Sequence, residues 1–148
     1  MTIEKAINTD HEILTEITKR SKAHWGYSEE QIIEWNDNLT ISKNYIESNA
    51  TFKLLDENKV IGYYSYIIEK PGVKLDNLFV LPEYIGKGFG KYLVNDFLTR
   101  MRNQKIKKII LDSDPNAEEF YLKIGFKKIG EFETSIKNRF MPIMEMNL

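Results

Sequence analysis

Leu78-Phe79-Val80-Leu81-Pro82-Glu83-Tyr84-Ile85-Gly86-Lys87-Gly88-Phe89-Gly90-Lys91 carries an apolar strand into a helix through a loop with three glycines. Beyond the loop, Phe89, Tyr92, Leu93, Phe97, Leu98 and Met101 recur at helical spacing and predict the buried face of that helix. Glycines at such a junction let the backbone approach a ligand closely. The N–H groups of the first helical turn then point at the ligand, backed by the helix dipole. The arrangement suits a phosphate or pyrophosphate. Two common phosphate loops are excluded. A P-loop needs Ser or Thr after its lysine, and Tyr92 follows Lys91. The dinucleotide fingerprint needs a glycine where Lys91 stands. A plain tight strand-to-helix turn is the competing reading of the loop alone.

A second segment narrows the choice. Lys107-Lys108-Ile109-Ile110-Leu111 reads as a strand, and Asp112-Ser113-Asp114-Pro115-Asn116 as a turn and helix start. Asp114 suits the cap and Pro115 the first helical position. Ala117 to Ile124 predicts a two-turn helix, Gly125 stops it, and Phe126 opens the next strand.

The rest of the chain supplies the frame. Ile3 to Ile7 predicts a first strand, and Asp10 caps a helix carrying Ile13, Leu14 and Ile17. Ser28 with Gln31 three residues on has the capping-box pattern, opening a helix that ends near Leu39. A short helical stretch spans Ser42 to Ser48. Thr51 to Leu55 and Val60 to Ile68 read as strands joined by a turn at Asp56-Glu57-Asn58-Lys59. Pro71-Gly72 turns into a strand from Val73 to Leu81. These three strands make an antiparallel meander, and strand–helix–strand then gives a parallel pair by crossover. The last strands are Lys127 to Ser135 and Arg139 to Met146. Pro142 cannot donate to a ladder, so it predicts an edge or a bulge, and an edge-exposed final strand would support a homodimer. The fold class is α/β, in the mixed α+β sense. It has a central mixed, largely antiparallel sheet of six or seven strands, with helices on both faces.

The 148 residues are a normal length for one domain, 1–148, and 42% hydrophobic residues are enough for a core. A net charge of -1 lacks the basic excess of a nucleic-acid binder, so no nucleic-acid partner is expected. The absence of cysteine removes disulfides, thiolate metal sites and a cysteine nucleophile. No stretch reaches the roughly 18 apolar residues of a membrane span. Nor does the start read as a signal peptide. A cytoplasmic protein without a membrane partner or a metal is the expectation.

The chain resembles the GNAT superfamily of N-acetyltransferases. Val80, Pro82, Gly86-Lys87-Gly88-Phe89-Gly90, Asn116-Ala117, Phe120-Tyr121 and Gly125-Phe126 carry the resemblance, over roughly Ile3 to Glu145. Ser21 to Tyr27 and Arg139 to Glu145 also look like a GNAT subgroup. The resemblance implies acetyl-CoA as cosubstrate. Its pyrophosphate would lie on Ile85, Gly86, Lys87, Gly88, Phe89, Gly90 and Lys91. The backbone of Leu78, Phe79 and Val80 would hold the acetyl arm and supply the oxyanion donor. One departure stands in the loop: the superfamily pattern has Arg or Gln where this chain has Ile85. Backbone N–H groups dominate such a site, so the change should weaken it rather than abolish it, and Lys87 and Lys91 restore positive charge.

Tyr121 matches the family tyrosine that approaches the sulfur as general acid. A phenol with a reference pKa of about 10 is protonated at neutral pH. Packing beside Phe120 is the alternative role for Tyr121. Asn116 either hydrogen-bonds the pantetheine arm or caps its helix locally. Asp76 is the candidate base; strand alternation puts it on the face of Leu78 and Val80, unless a bulge intervenes. Glu69 and Glu133 are weaker candidates. His24, Trp25 and Tyr27 lie in the segment that commonly walls the acceptor site in GNAT folds, and the competing role is anchoring that connection. The implied reaction is direct acetyl transfer to a primary amine, of a small molecule by preference. The rivals are a protein N-terminus or lysine as acceptor, and a non-catalytic acyl-CoA sensor.

Overall fold

The structure, a computed structural model, describes residues 1–148. Its strands are β1 (Thr2–Lys5), β2 (Ala50–Asp56), β3 (Lys59–Glu69), β4 (Gly72–Val80), β5 (Lys108–Asp112), β6 (Lys127–Glu133) and β7 (Phe140–Asn147). Its helices are α1 (His11–His24), α2 (Glu29–Glu34), α3 (Asn36–Leu39), α4 (Lys43–Ser48), α5 (Phe89–Asn103) and α6 (Glu118–Ile124). The strands form one sheet in the order β1-β2-β3-β4-β5-β7-β6. β4 and β5 pair in parallel, while β1–β2, β2–β3, β5–β7 and β6–β7 are antiparallel. This is the mixed, largely antiparallel sheet that the sequence predicts. Residues Met1–Tyr66 with Asn77–Phe97 form one compact unit, and Ile67–Asp76 with Leu98–Leu148 a second.

In the first unit, Leu14, Ile17, Thr18 and Ser21 form the buried stripe of α1. Tyr63 and Tyr64 are neighbours on β3, both fully buried, so their side chains leave opposite faces. Tyr63 meets the Thr18 hydroxyl of α1, and Tyr64 donates to Asp96 of α5 at 2.7 Å. Helices therefore cover both faces of this sheet. The β2–β3 hairpin turns through Glu57 and Asn58 at φ 50° and 64°, the left-handed pair that matches strand twist. At Gly62 an added Cβ would stand 2.9 Å from the Phe79 carbonyl oxygen and 3.2 Å from Leu93. Only glycine lets β4 and α5 come that close.

Local chemistry moves several predicted boundaries. β1 stops at Lys5, because the Ile7 N–H turns to the Asp10 carboxylate at 2.9 Å. Asp10 precedes α1 but does not cap it; its other bond is to Lys53 Nζ at 2.9 Å. Ser28 does cap α2, accepting from the Gln31 N–H at 3.1 Å, but the Gln31 amide donates onward to Glu34 at 3.5 Å. Ser42 caps α4 through the Tyr45 N–H. On α5, Leu93, Val94, Phe97, Leu98 and Met101 are buried, whereas Tyr92 is exposed and leaves the predicted face.

In the second unit, Ile109, Leu111, Met144 and Met101 are fully buried, and Tyr121 and Phe126 are also buried, in sequence-distant elements. Gly72 lies against β5: a Cβ there would come within 2.5 Å of the Lys108 carbonyl oxygen. The reading of Pro142 needs correction. β7 is an inner strand between β5 and β6, so it is not the edge on which the dimer expectation rested. The Pro142 carbonyl accepts from the Ser113 N–H at 2.8 Å, and proline has no N–H to return that bond. The β5 ladder accordingly ends at Asp112↔Ile143. The bulge lies across from it on β6, where Lys128 pairs with Met144 and Gly130 with Ile143. The extra residue, Ile129, shifts the alternation, so Lys128 and Glu131 share a face and pair at 2.9 Å.

Candidate active site

The glycine loop is open in the way a ligand cradle requires. A 3₁₀ turn at Pro82–Tyr84 follows β4, then Gly86 and Gly88 adopt φ of +80° and +88°. A Cβ at either glycine would meet nothing within 4 Å, so backbone conformation rather than crowding selects glycine there. The Tyr92 N–H donates to the Gly88 carbonyl at 3.0 Å and starts the α5 ladder. The N–H groups of Phe89, Gly90 and Lys91 precede that bond and have no intrahelical acceptor. Lys87 Nζ lies 6.0 Å from the Tyr84 ring, and Lys59 Nζ lies 5.9 Å from the same ring. Tyr84 in turn meets Phe89 edge-on at 5.5 Å. Lys59 thus adds charge beside the loop in which Ile85, half-buried, replaces the usual cation or amide. No linear spacing signals Lys59, because the β2–β3 hairpin delivers it. Arg20 of α1 pairs with Glu83 at 2.7 Å. The backbone hydrogen bond at Glu83, with Arg20 second, holds that carboxyl below its usual range.

On β4, Leu78 and Phe79 are half-buried and Val80 is buried. The strand is pinned at its end: Ser21 Oγ donates to the Val80 carbonyl at 2.6 Å, and the Leu81 N–H donates to the Ile61 carbonyl at 2.8 Å. Lys22 Nζ stands 5.7 Å from the Phe79 ring and 5.9 Å from the Tyr27 ring. Tyr27 also meets the Trp35 ring edge-on at 5.0 Å. His24 and Trp25 differ from it. They contact each other edge-on at 5.0 Å at the end of α1, and both are exposed. A polar cluster missed by the sequence reading lies on the same strand. Asn77 Nδ2 donates to Ser65 Oγ at 2.9 Å and to the Tyr45 hydroxyl at 3.2 Å. Those two hydroxyls lie 2.7 Å apart.

The second unit holds the other candidates. Tyr121 is 7% exposed, with its ring edge-on to Phe120 at 5.1 Å and to Phe126 at 5.6 Å. Burial pushes its phenol well above the usual tyrosine range, and the charge of Asp114 adds to the rise. Asp114 Oδ1 accepts the backbone and side-chain N–H groups of Asn116, each at 2.9 Å. Asp114 Oδ2 takes Arg139 at 3.1 Å, with both side chains largely buried. Asn116 is thus exposed with its amide nitrogen committed locally. Gly125 ends α6 at φ +121°, as predicted, its N–H bonding the Tyr121 and Leu122 carbonyls. Asp76 is half-buried on β4, whereas Glu69 and Glu133 are exposed.

The fold agrees with comparisons to known proteins. The acetyltransferase (GNAT) domain matches residues 24–148, and the chain belongs to that family. Among solved structures, the PaiA N-acetyltransferase of Thermoplasma acidophilum in complex with coenzyme A superposes with a TM-score of 0.81. It is 26% identical over the full length of both chains. The [ribosomal protein bS18]-alanine N-acetyltransferase of Haemophilus influenzae is 29% identical over 92 residues, covering 61% of this chain and 63% of that protein. The glucosamine 6-phosphate N-acetyltransferase of Trypanosoma brucei brucei is 38% identical over 53 residues, 36% of each chain. The matched regions thus span less than two thirds of the length of these two relatives. No helix of the structure is long and apolar enough to cross a membrane.

Proposed function

We propose that this chain transfers an acetyl group from acetyl-CoA directly to the primary amine of a small molecule. The glycine loop carries the reading. Gly86 and Gly88 sit at positive φ before α5, with open space around them and Lys59 and Lys87 beside Tyr84. That geometry suits the CoA pyrophosphate on residues 86–91, with Ile85 at its edge. The acyl arm then follows Leu78, Phe79 and Val80, whose strand end is fixed by Ser21.

In the reaction the acceptor ammonium first loses a proton to Asp76 or to water. The neutral amine attacks the thioester carbonyl carbon, and a β4 N–H steadies the oxyanion. The C–S bond breaks, the attacking nitrogen gives up one of its two protons to solvent and keeps the other as the amide N–H, and the CoA thiolate takes a proton from Tyr121, whose phenolate is then reprotonated from solvent. Burial keeps the Tyr121 phenol protonated throughout the neutral range. Asn116 steadies the pantetheine arm. Tyr27, whose ring shares the Lys22 ammonium with Phe79, forms the inner part of the acceptor wall, and His24 and Trp25 its exposed rim. Such an aromatic wall favours a compact amine.

The deciding experiment is an acetyl-CoA panel read by thiol release. It compares small amines, a peptide with a free N-terminal alanine, and a peptide with an internal lysine. Turnover of small amines above both peptides is the expected result. Peptide-only turnover would move the acceptor to protein. CoA binding with no turnover on any arm would make the chain a sensor.

A further inference from the structure

We propose that Arg139 is a positioning residue for the acyl-CoA arm: through the Asp114 carboxylate it sets the direction of the Asn116 amide. The inference rests on acetyl-CoA as the ligand of this chain and names what orients one of its contacts. Arg139 closes the turn between β6 and β7. Its carbonyl accepts from the Thr134 N–H at 2.9 Å, and its own N–H donates to the Ile136 carbonyl at 3.1 Å. Lys137, Asn138 and Phe140 around it are exposed, as the end of a hairpin should be. Arg139 is folded under instead: its side chain is 13% exposed and that of Asp114 11%. A guanidinium so far from water is costly unless a carboxylate meets it. The two segments are joined without this pair. The β5–β7 ladder runs from Lys108↔Asn147 to Asp112↔Ile143, and the Ser113 N–H extends it to the Pro142 carbonyl at 2.8 Å. What Arg139 adds to the junction is a cation at the Asp114 carboxylate.

The two oxygens of that carboxylate have separate tasks. Oδ2 accepts from Arg139 Nη2 at 3.1 Å. Oδ1 accepts the backbone N–H and the side-chain amide of Asn116, each at 2.9 Å. An ionised carboxylate only accepts, so the Asn116 amide must turn its nitrogen to Asp114. Its oxygen then faces the other way, in the exposed turn that leads into α6. A ligand meets an acceptor there and must bring an N–H, which the amides of a pantetheine arm supply. A buried carboxylate stripped of its cation is disfavoured and takes up a proton more readily. It then carries a hydrogen of its own, and the Asn116 amide is no longer held to one direction. Tyr121, near enough to feel the Asp114 charge, is a neutral phenol at neutral pH and cannot replace the guanidinium. Arg139 therefore acts on the ligand through Asp114 and Asn116, without touching it.

Calorimetry of CoA with the full chain tests the proposal through a double-mutant cycle. Asn116→Ala and Arg139→Gln should each weaken CoA about three- to tenfold, the worth of one net hydrogen bond. The double variant should bind no more weakly than the poorer single, because both changes cut the same path. An arginine with a purely structural role would give losses that multiply. Arg139→Lys returns the cation and should recover most of the affinity lost in Arg139→Gln. Circular dichroism checks that each variant is folded. Should Arg139→Gln not fold, Asp114→Asn runs the same cycle, because its one carbonyl oxygen cannot serve Arg139 and Asn116 together. Losses that multiply, a lysine variant as weak as the glutamine variant, or an unchanged affinity in either single variant would each overturn the proposal and leave acetyl-CoA as the ligand. No CoA binding by the wild type would instead overturn the acetyl-CoA reading, and the proposal with it.

Discussion

At Tyr121 the same burial that packs the ring also fixes its protonation. Tyr121→Phe should lower kcat by about 10²- to 10⁴-fold, the usual loss of one proton-transfer group. The affinity for CoA, read by calorimetry, should stay nearly unchanged. An equal kcat in an assay limited by chemistry would remove Tyr121 from the mechanism. Stability gives an independent check. Folding raises the phenol above its unfolded value of about 10, so this contribution is complete below about pH 10. It is lost as pH climbs from there toward the folded value. Denaturant midpoints for the wild type should fall above about pH 10, and Tyr121→Phe should flatten that fall. A second residue prediction concerns the acceptor. Tyr27→Ala should raise the acceptor KM more than the acetyl-CoA KM, and more than Trp25→Ala does, because Tyr27 shares Lys22 with Phe79. Equal effects on both constants would reject Tyr27 as wall.

Among the elements, the loop before α5 and the start of β4 make opposite demands on their glycines. Gly88 stands in open space but at φ +88°. Gly88→Val forces a β-branched residue into the left-handed region, at a cost on the order of 1–3 kcal/mol. It also puts a side chain where a phosphate would approach. CoA affinity should drop at least tenfold by calorimetry; an unchanged affinity would move the pyrophosphate elsewhere. Gly72 is the reverse case, crowded rather than twisted. Gly72→Ala brings a methyl to 2.5 Å from the Lys108 carbonyl, so the β4–β5 pairing must shift. Chemical denaturation should show a loss of about 1–3 kcal/mol; a neutral result would mean the strands part without cost. Nothing in the sequence distinguishes these two roles, since the letter is the same in both.

For the molecule as a whole, the linear pattern was informative wherever the deciding interaction is local. Alternation and turn residues gave β2, β3 and β4, because a strand face and a hairpin turn are set by near neighbours. Ser28, Ser42 and Gly125 marked helix ends for the same reason: each bonds backbone within a few residues of itself. The glycine loop read as a phosphate cradle, and together with the Asn116–Tyr121 segment it carried the resemblance to the GNAT superfamily. What the sequence left open is what distant segments do to one another. Asp10 had the chemistry of a cap, but Lys53, brought up on β2, and the Ile7 N–H claimed it instead. Pro142 suggested an edge or a bulge; strand order put β7 inside, so there is no edge, and a bulge lies on β6 opposite Ile143 and Met144. Lys59 beside Tyr84, Lys22 between Tyr27 and Phe79, and the Asn77–Ser65–Tyr45 cluster depend on side chains far apart in the chain. Local propensity and pattern therefore determined most of the elements and the conformation of the glycine loop. Only tertiary packing decided which charges and rings stand beside that loop, because such contacts arise from strand order and helix docking rather than from spacing along the chain.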